Sequence, residues 1–494
     1  MSRNILYVLA GAISVLAFSP FHLWWMAVVS VSLLLLLLSV RPEPAAFRAG
    51  YLYGMGMFAT GTSWIFNSLY DYGNAPLAAA VAMTVVGTLV LSVFPALVVK
   101  LYVHFSTNTR HGLLQAASFV CLWVLFEWLR SWILTGFPWL LLGHTLVDSP
   151  IAGVIPVLGV FGGSALIVII AASIHQAAMA SRSAALKWLL AAIVVMAVSY
   201  FLNAVDWTHK TTQQPVKVAA VQANIPFAMK WDKDRRHEVY QTYVDLTRRH
   251  WDSDIIVWPE TAIPTFYRVA NQDFIPRLTR ELNQHQVELI SGVFTYQPGT
   301  EYIFNSLVTL GGNEVEIYSK QHLVPFGEYL PMRWLFEFFR HLVTIPMSDL
   351  SPGEGPSVVT LKGVPTGVSI CYEAAYGEEI LRALPQAELL INVTNDAWFG
   401  DSFAPHQHLQ IARTRALETG RYMVRAANTG ISAIIDPKGQ ITQQSAQFVD
   451  DVVAGEIWPM AGNTPFIHWG NWAIISSLSF GLLLLLLAQR QSFR

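Results

Sequence analysis

Long apolar runs set the pattern of the first 205 residues and return at the end of the chain. Eight are read: Ile5 to Ser19, Leu23 to Val40, Ala49 to Leu69, Pro76 to Val99, Leu113 to Ile133, Ile155 to Met179, Leu186 to Leu202, and Trp469 to Ala488. A helix needs about 20 apolar residues to cross about 30 Å of hydrocarbon, so these runs predict membrane spans. The first is short and abuts Pro20, which leaves open a tight helical hairpin with the second in place of a full crossing. A cleaved signal peptide is disfavoured, because no small-x-small cleavage site follows and another apolar run begins at once.

Between the seventh and eighth runs the period changes. VKVAAVQ (Val216 to Gln222) and DIIVW (Asp254 to Trp258) are short β-branched runs. Between them, Asp232 to His250 places Val239, Tyr243 and Leu246 at helical spacing, giving strand, helix, strand. Val287 to Phe294, Ile303 to Leu310 and Glu314 to Ser319 then follow as strands, the last two joined by Gly311-Gly312-Asn313, which predicts antiparallel hairpins. Further strands are expected at Val358 to Leu361, Val364 to Ile370, Glu388 to Thr394, Arg421 to Ala427 and Gly430 to Asp436. Helices are expected over Asn271 to Gln284, Tyr376 to Ala383 and Gln407 to Thr419. Many strands with intervening helices imply sheets covered by helices in layers. No internal repeat, low-complexity stretch or phosphate-binding glycine motif is found, and SPGEGP (Ser351 to Pro356) reads as an exposed loop.

Charge sharpens this division. Only 13% of the 494 residues are charged, well below the quarter usual for soluble proteins. Residues 1–205 hold 12 charged side chains and residues 206–460 hold 50, with net charges of +4 and −8. An acidic outer segment gives no basic face for nucleic acid. With the N-terminus inside, the inner side collects Arg3, Arg41, Arg48, Lys100, Arg110, Arg182, Lys187, Arg490 and Arg494. The outer loops hold Asp71, Asp148 and at most Arg130. The expected layout is a seven-span membrane domain (1–205), an outer domain (206–460) that would be periplasmic in a bacterium, and an eighth span with a cytoplasmic tail (461–494). Glu127 and Arg130, i and i+3 near a span end, read as a local ion pair.

Two cysteines, Cys121 and Cys371, are too few for a disulfide framework and are read as free thiols. Cys371 ends the apolar strand GVSI, a setting that usually marks a small buried hydrophobe. Glu260 follows the strand DIIVW directly, and Lys320 follows EVEIYS. Each alone reads as a solvated loop residue. Together they supply what a thiol nucleophile needs: a base to take its proton and a cation to hold the oxyanion formed when a carbonyl is attacked.

WPE, SKQHLVPFGEYLP and GVSICYE, in that order and with Glu260, Lys320 and Cys371 60 and 51 residues apart, resemble the signature blocks of the nitrilase, or carbon-nitrogen hydrolase, superfamily. RALETGRYMVRAANTG (Arg415 to Gly430) resembles a later block, departing from it at Thr419-Gly420. The resemblance implies a four-layer α-β-β-α sandwich beside the multi-span helical domain. Within that superfamily, the arrangement of spans, QANIPFAMKW (Gln222 to Trp231), NVTNDAWFG (Asn392 to Gly400) and GFPWLLLGH in the membrane part resemble the apolipoprotein N-acyltransferases.

The resemblance implies Glu260 as general base, Lys320 as oxyanion-holding cation and Cys371 as nucleophile. It further implies a phospholipid acyl donor, by family resemblance phosphatidylethanolamine, and a thioester on Cys371. The acceptor is then the α-amine of an N-terminal diacylglyceryl-cysteine, in ping-pong order, as the last step of lipoprotein maturation at a bacterial inner membrane. Glu328 and Glu373 match acidic positions of the family motif, with Glu328 orienting Lys320 or the amine. Tyr372, directly after the nucleophile, is placed to offer its backbone N–H to the oxyanion. Asn305 matches a family site position, with a turn role as the other reading. Trp231, Trp398 and Phe399 are read either as interfacial packing or as gates for lipid entry. His406 and His408, at i and i+2, do not share a helical face and complete no metal set. No metal or cofactor is expected, and a monomer is. Two rivals remain open here: a membrane-tethered amidase using water, and a transporter or sensor, which the scarcity of intramembrane charge disfavours.

Overall fold

The computed structural model describes residues 3–39, 45–107, 111–330 and 349–492. Val40, Arg41, Arg110, Pro331 and Arg494, which entered the readings above, lie outside them. The chain forms two units, one of Met1–Tyr70, Pro76–Asp206 and His468–Arg494, the other of Asp71–Ala75 and Trp207–Ile467.

In the first unit, each apolar run is helical. Leu77–Thr107, Gly112–Arg130, Ala152–Met179, Arg182–Leu202 and Trp472–Gln489 are long and apolar enough to cross a membrane, while Arg3–Ala17 and Trp25–Ser39 are shorter. Leu186, Leu190, Ile193, Val194 and Phe201 are all exposed on one of these helices, a surface suited to lipid and not to water. The protein is a membrane protein.

Lipid gives helices no hydrophobic reason to associate, so contact depends on small residues and hydrogen bonds. A Cβ at Gly11 would stand 1.9 Å from the Tyr53 carbonyl oxygen, so only glycine allows the first helix to reach Ala46–Gly61. The first helix therefore packs on the third as well as on the second. Ser30 joins all three, donating to the Ala10 carbonyl at 2.6 Å and lying 2.7 Å from the Tyr53 hydroxyl.

Glu127 and Arg130 act on each other electrostatically, and each also takes partners in the segment that follows. Arg130 Nη1 donates to the carbonyls of Phe137 (2.7 Å) and Trp139 (2.6 Å). Glu127 Oε1 accepts from Trp123 Nε1 and the Leu142 backbone, both at 3.1 Å. The segment 136–142 after the helix carries backbone groups that have no helical partner; Arg130 satisfies the carbonyls of Phe137 and Trp139, and Glu127 the N–H of Leu142.

The second unit is built on two sheets. Its elements are β1 (Val216–Gln222), α1 (Arg236–Arg248), β2 (Ile255–Val257), β3 (Ile263–Phe266), α2 (Phe274–His285), β4 (Glu288–Tyr296), β5 (Ile303–Leu310) and β6 (Ile317–Ser319). There follow β7 (Val358–Leu361), β8 (Val364–Ile370), α3 (Gly377–Leu381), β9 (Leu389–Thr394), α4 (Ala404–Thr419), β10 (Met423–Ala427), β11 (Ala433–Ile435), β12 (Ile441–Gln444) and β13 (Asp451–Ile457). The first sheet runs β13-β1-β2-β4-β5-β6 with β3 beside β4, and the second β12-β11-β10-β9-β8-β7. Each has a parallel centre, β1-β2-β4 and β8-β9-β10, flanked by antiparallel strands.

Three apolar cores separate the layers. Val218, Ala220, Val257 and Ile290 of the first sheet meet Val368, Ile370, Ile391 and Val424 of the second. Val239, Tyr243 and Leu246 of α1, with Leu278 and Leu282 of α2, cover the outer face of the first sheet. Leu409, Ala412 and Ala416 of α4 cover the second. This is the four-layer α-β-β-α sandwich that the resemblance implied, and β4-β5-β6 are the expected antiparallel run.

Of the strands in these two sheets the sequence reading did not find β3, β12 and β13, and it also did not find the short antiparallel pair His209–Lys210 and Met460–Ala461. β3 carries Pro264, β12 has three exposed residues in four, and β13 has Gly455 at its middle. All three depart from the buried β-branched pattern that marks a strand. β6 is also shorter than expected, because it begins at Ile317 and not at Glu314.

Candidate active site

Ligands of open parallel sheets gather outside the carboxyl ends of the strands, where main-chain groups and following residues are free of the ladder. Three such ends carry the expected chemistry. Glu260 follows β2, Lys320 follows β6 and Cys371 follows β8.

The turn at Glu260 is fixed by close approach. Gly292 N donates to the Pro259 carbonyl at 3.2 Å, and a Cβ on Gly292 would lie 2.1 Å from Thr261 N and 2.7 Å from Glu260 Cα. Only glycine fits in β4 at that point. The Glu260 carboxylate, itself buried, accepts from Asn305 Nδ2 at 2.7 Å and from the Asn395 backbone N–H at 2.9 Å.

Lys320 is 1% exposed. Its Nζ lies 2.9 and 2.8 Å from the two oxygens of Glu328 and 3.8 Å from Glu260 Oε1. Burial pulls its pKa down, but Glu328 and then Glu260 outweigh this and hold the ammonium above the ordinary lysine value. Asn305 Nδ2 also reaches Glu328 Oε1 at 3.2 Å, so one amide ties both carboxylates. Asn305 thus sits inside the site and not in a turn.

Cys371 adopts φ +53°, the left-handed region, at the start of a short helical turn Cys371–Ala375. Burial, then the charge of Glu260, pushes its thiol well above the usual value, while Lys320 and a hydrogen bond with Thr394 pull the other way. The resting side chain is therefore favoured as the protonated thiol over the thiolate.

Glu373 braces this turn. Its Oε2 accepts from Ile370 N at 2.6 Å, and its Oε1 accepts from Gln321 N at 2.6 Å and Tyr318 Oη at 2.8 Å. It ties the cysteine turn to the segment after Lys320. Burial pushes its carboxyl up to about 7.

The other expected residues are spread around this centre. Tyr372 packs its ring on Tyr376 and His322, with centroids 5.2 and 5.8 Å away. Trp231 lies 5.8 Å from Phe294, and Trp398 lies 4.8 Å from Phe227 and 6.4 Å from Tyr72. Phe399 stands edge-on to His408 at 6.3 Å.

A buried network beneath Cys371 was not legible as part of the site. His408 Nε2 lies 3.1 Å from the Cys371 carbonyl oxygen, and because a carbonyl only accepts, the ring proton sits on Nε2. Nδ1 lies 3.0 Å from both Arg425 Nη2 and Asp396 Oδ1. Arg425 also donates to Asp396 Oδ2 at 2.9 Å, and Thr394 to Oδ1 at 2.8 Å. Burial would raise Asp396, but Arg425 and His408 hold it down to about 2. Burial and Arg425 lower His408, which favours the neutral ring. One signal was available: Arg425 stands in the otherwise apolar strand MVRAA, and a charge there requires a buried partner. Lys230 was passed over in the same way.

Known proteins match this chain at both ends. The carbon-nitrogen hydrolase family matches residues 217–465, and the apolipoprotein N-acyltransferase N-terminal domain matches residues 10–173. An apolipoprotein N-acyltransferase of Methylococcus capsulatus is 40% identical over 99% of this chain and 97% of its own length. One from Coxiella burnetii is 37% identical over 98% of this chain and 99% of its own. One from Nitrosomonas europaea is 38% identical over 96% and 95%.

Proposed function

This chain belongs to the apolipoprotein N-acyltransferase family, and from that membership we propose how its residues transfer an acyl group in lipoprotein maturation. Glu260 takes the proton of the Cys371 thiol as Sγ bonds to the carbonyl carbon of a phospholipid acyl ester. Lys320 holds the resulting oxyanion. The C–O bond breaks, Glu260 returns the proton to the departing lysophospholipid, and an acyl thioester remains on Cys371. The neutral α-amine of a diacylglyceryl-cysteine then attacks the thioester and gives its proton to Glu260. The C–S bond breaks, the thiolate takes the proton back, and the amide leaves. One ester is consumed and one amide formed, with thiol and carboxylate restored.

A single observation carries this reading: the Lys320 ammonium is held between Glu260 and Glu328 at distances of 3.8 and 2.8 Å, in a site that also bears on the Cys371 thiol. Glu328 keeps Lys320 charged, and Asn305 aims Glu260. Donor and acceptor use one nucleophile in turn, which gives ping-pong kinetics. By resemblance, the donor is phosphatidylethanolamine, and the protein acts as a monomer in the inner membrane with residues 206–460 on the periplasmic side and both termini cytoplasmic.

The test is to incubate the purified protein with phosphatidylethanolamine and examine the Cys371 peptide by mass spectrometry. A thioester-linked acyl group is expected, and none with Cys371→Ala. An unmodified peptide, with activity surviving Cys371→Ala, would sink the mechanism. A topology reporter inserted near Gly299 is expected outside, and a cytoplasmic signal overturns the orientation.

A further inference from the structure

A second buried lysine stands behind the general base. Lys230 ends the short turn Phe227–Lys230 and is 3% exposed. Its Nζ donates to the main-chain carbonyl of Glu260 at 3.0 Å and lies 5.7 Å from the centroid of the Trp231 ring. An ammonium carries three donors, yet among the described residues Lys230 has this one hydrogen-bond acceptor and no carboxylate within salt-bridge distance.

A residue needed only to tie down a carbonyl does not have to be charged. A buried ammonium with one acceptor is costly, and burial pulls Lys230 down to about 7 while Glu260 draws it back up. Glu260 is the charge that acts on it. The turn at Glu260 is meanwhile pressed from the other side by Gly292, whose hydrogen leaves room for the main chain. We propose that Lys230 is a positioning residue for Glu260: it pins the Glu260 carbonyl against β4 and, as an ammonium, favours the ionised carboxylate that acts as base. The proposal rests on the reading of Glu260 as that base.

Several groups face Glu260 from the elements packed around it. Lys320 after β6 lies at 3.8 Å, with Glu328 beyond it. Asn305 on β5 and the Asn395 N–H after β9 donate to the carboxylate, and the Cys371 thiol after β8 feels its charge. Lys230 adds a cation from the β1–α1 connection, through the Glu260 main-chain carbonyl. Removing that charge leaves Lys320 to hold Glu260 ionised while Glu328 also competes for it.

The experiment follows Cys371 acylation by phosphatidylethanolamine in single turnovers of the full-length protein from pH 5 to 9, for wild type, Lys230→Met, Lys230→Gln, Lys230→Arg and Glu260→Gln. Lys230→Met is expected to move the acid limb of the rate upward by about one pH unit, about tenfold in rate at its midpoint, with KM for the phospholipid unchanged. Lys230→Gln can still donate to the carbonyl, so it serves even where Met does not fold, and it is expected to show the same shift. Lys230→Arg restores the wild-type limb. Acid limbs of Lys230→Met or Lys230→Gln that superimpose on wild type, whatever the absolute rate, overturn the proposal. An acid limb that survives in Glu260→Gln is a different result, since it removes Glu260 as the base.

Discussion

His408 donates from Nε2 to the Cys371 carbonyl at 3.1 Å, and that carbonyl belongs to a non-glycine residue at φ +53°. Left-handed backbone costs an L-residue about 1–2 kcal/mol, so the nucleophile's turn needs support from its surroundings. Glu373 supplies it through Ile370 N, and His408 through the carbonyl. Arg425 in turn donates to the imidazole Nδ1 and is itself held by Asp396.

His408→Ala is therefore expected to slow thioester formation by about 10–100-fold and to lower stability by about 1–3 kcal/mol, since it strands buried polar groups. His408→Gln, which keeps a donor, should recover part of the rate. Mass spectrometry of the Cys371 peptide over time and thermal melting check both. A wild-type rate in His408→Ala would show that the turn holds itself.

Glu328→Gln leaves Lys320 facing Glu260 without its closest counter-charge. Removing one partner of a buried pair costs about 3–5 kcal/mol, and Lys320 should swing from Glu328 toward Glu260 and tie up the base. We expect acylation to fall by about 100-fold or more, read from single-turnover rates, with Glu328→Asp less damaged. Equal rates for Glu328→Gln and wild type would leave Glu328 a purely structural partner.

Glu373 sets a pH signature in stability. Its carboxyl rises from 4.5 to about 7 through burial, so between these values the folded state binds more protons than the unfolded one. Stability from this group therefore falls as pH rises across that window. Glu373→Gln should melt lower, because an amide cannot accept all of the N–H and O–H donors. The gap between wild type and variant should narrow from pH 4.5 to about 7 and stay level on either side. A gap independent of pH would refute the shift.

Gly292→Ala places a Cβ where Thr261 N and Glu260 Cα already stand, at 2.1 and 2.7 Å. The expected result is a protein with wild-type circular dichroism whose acylation is slowed by about 100-fold, the usual cost of moving a reacting group by about 1 Å. Wild-type rates in Gly292→Ala would mean that the Glu260 turn shifts freely.

What the sequence disclosed follows from which constraints are local. The long apolar helices show because lipid requires an unbroken apolar run, and the strand ends that carry Glu260, Lys320 and Cys371 show because each comes just after a run of buried β-formers. The long-range partners do not. His408 sits within α4 between residues that are themselves buried, so neither spacing nor polarity marks it as the support of Cys371. Lys230 follows Phe-Ala-Met and looks like the solvated end of a turn, yet its head is buried at Glu260. β13 escaped because its partner β1 lies more than 200 residues earlier, and only that pairing, Val453 opposite Ala220, makes it a strand. Glu127 and Arg130 were legible as neighbours at i and i+3, but the carbonyls and N–H of the segment that follows, which also bond them, were not.

Glu260 and Lys320 belong to one sheet and Cys371 to the other, with only the apolar layer of Val257, Ile290, Ile370 and Ile391 between the two sheets. In the proposed mechanism that layer is a spacer that gauges the gap across which the proton passes. Its thickness follows from side-chain volume, and the hydrogen bonds from Asn395 N–H to Glu260 and from Tyr318 to Glu373 cross at its rim. Trimming Val257 or Ile391 by one methyl group would leave every catalytic residue in place on its own sheet and still mistune the distance between acid and thiol. The oily middle of the sandwich is in that sense the calibration of the reaction.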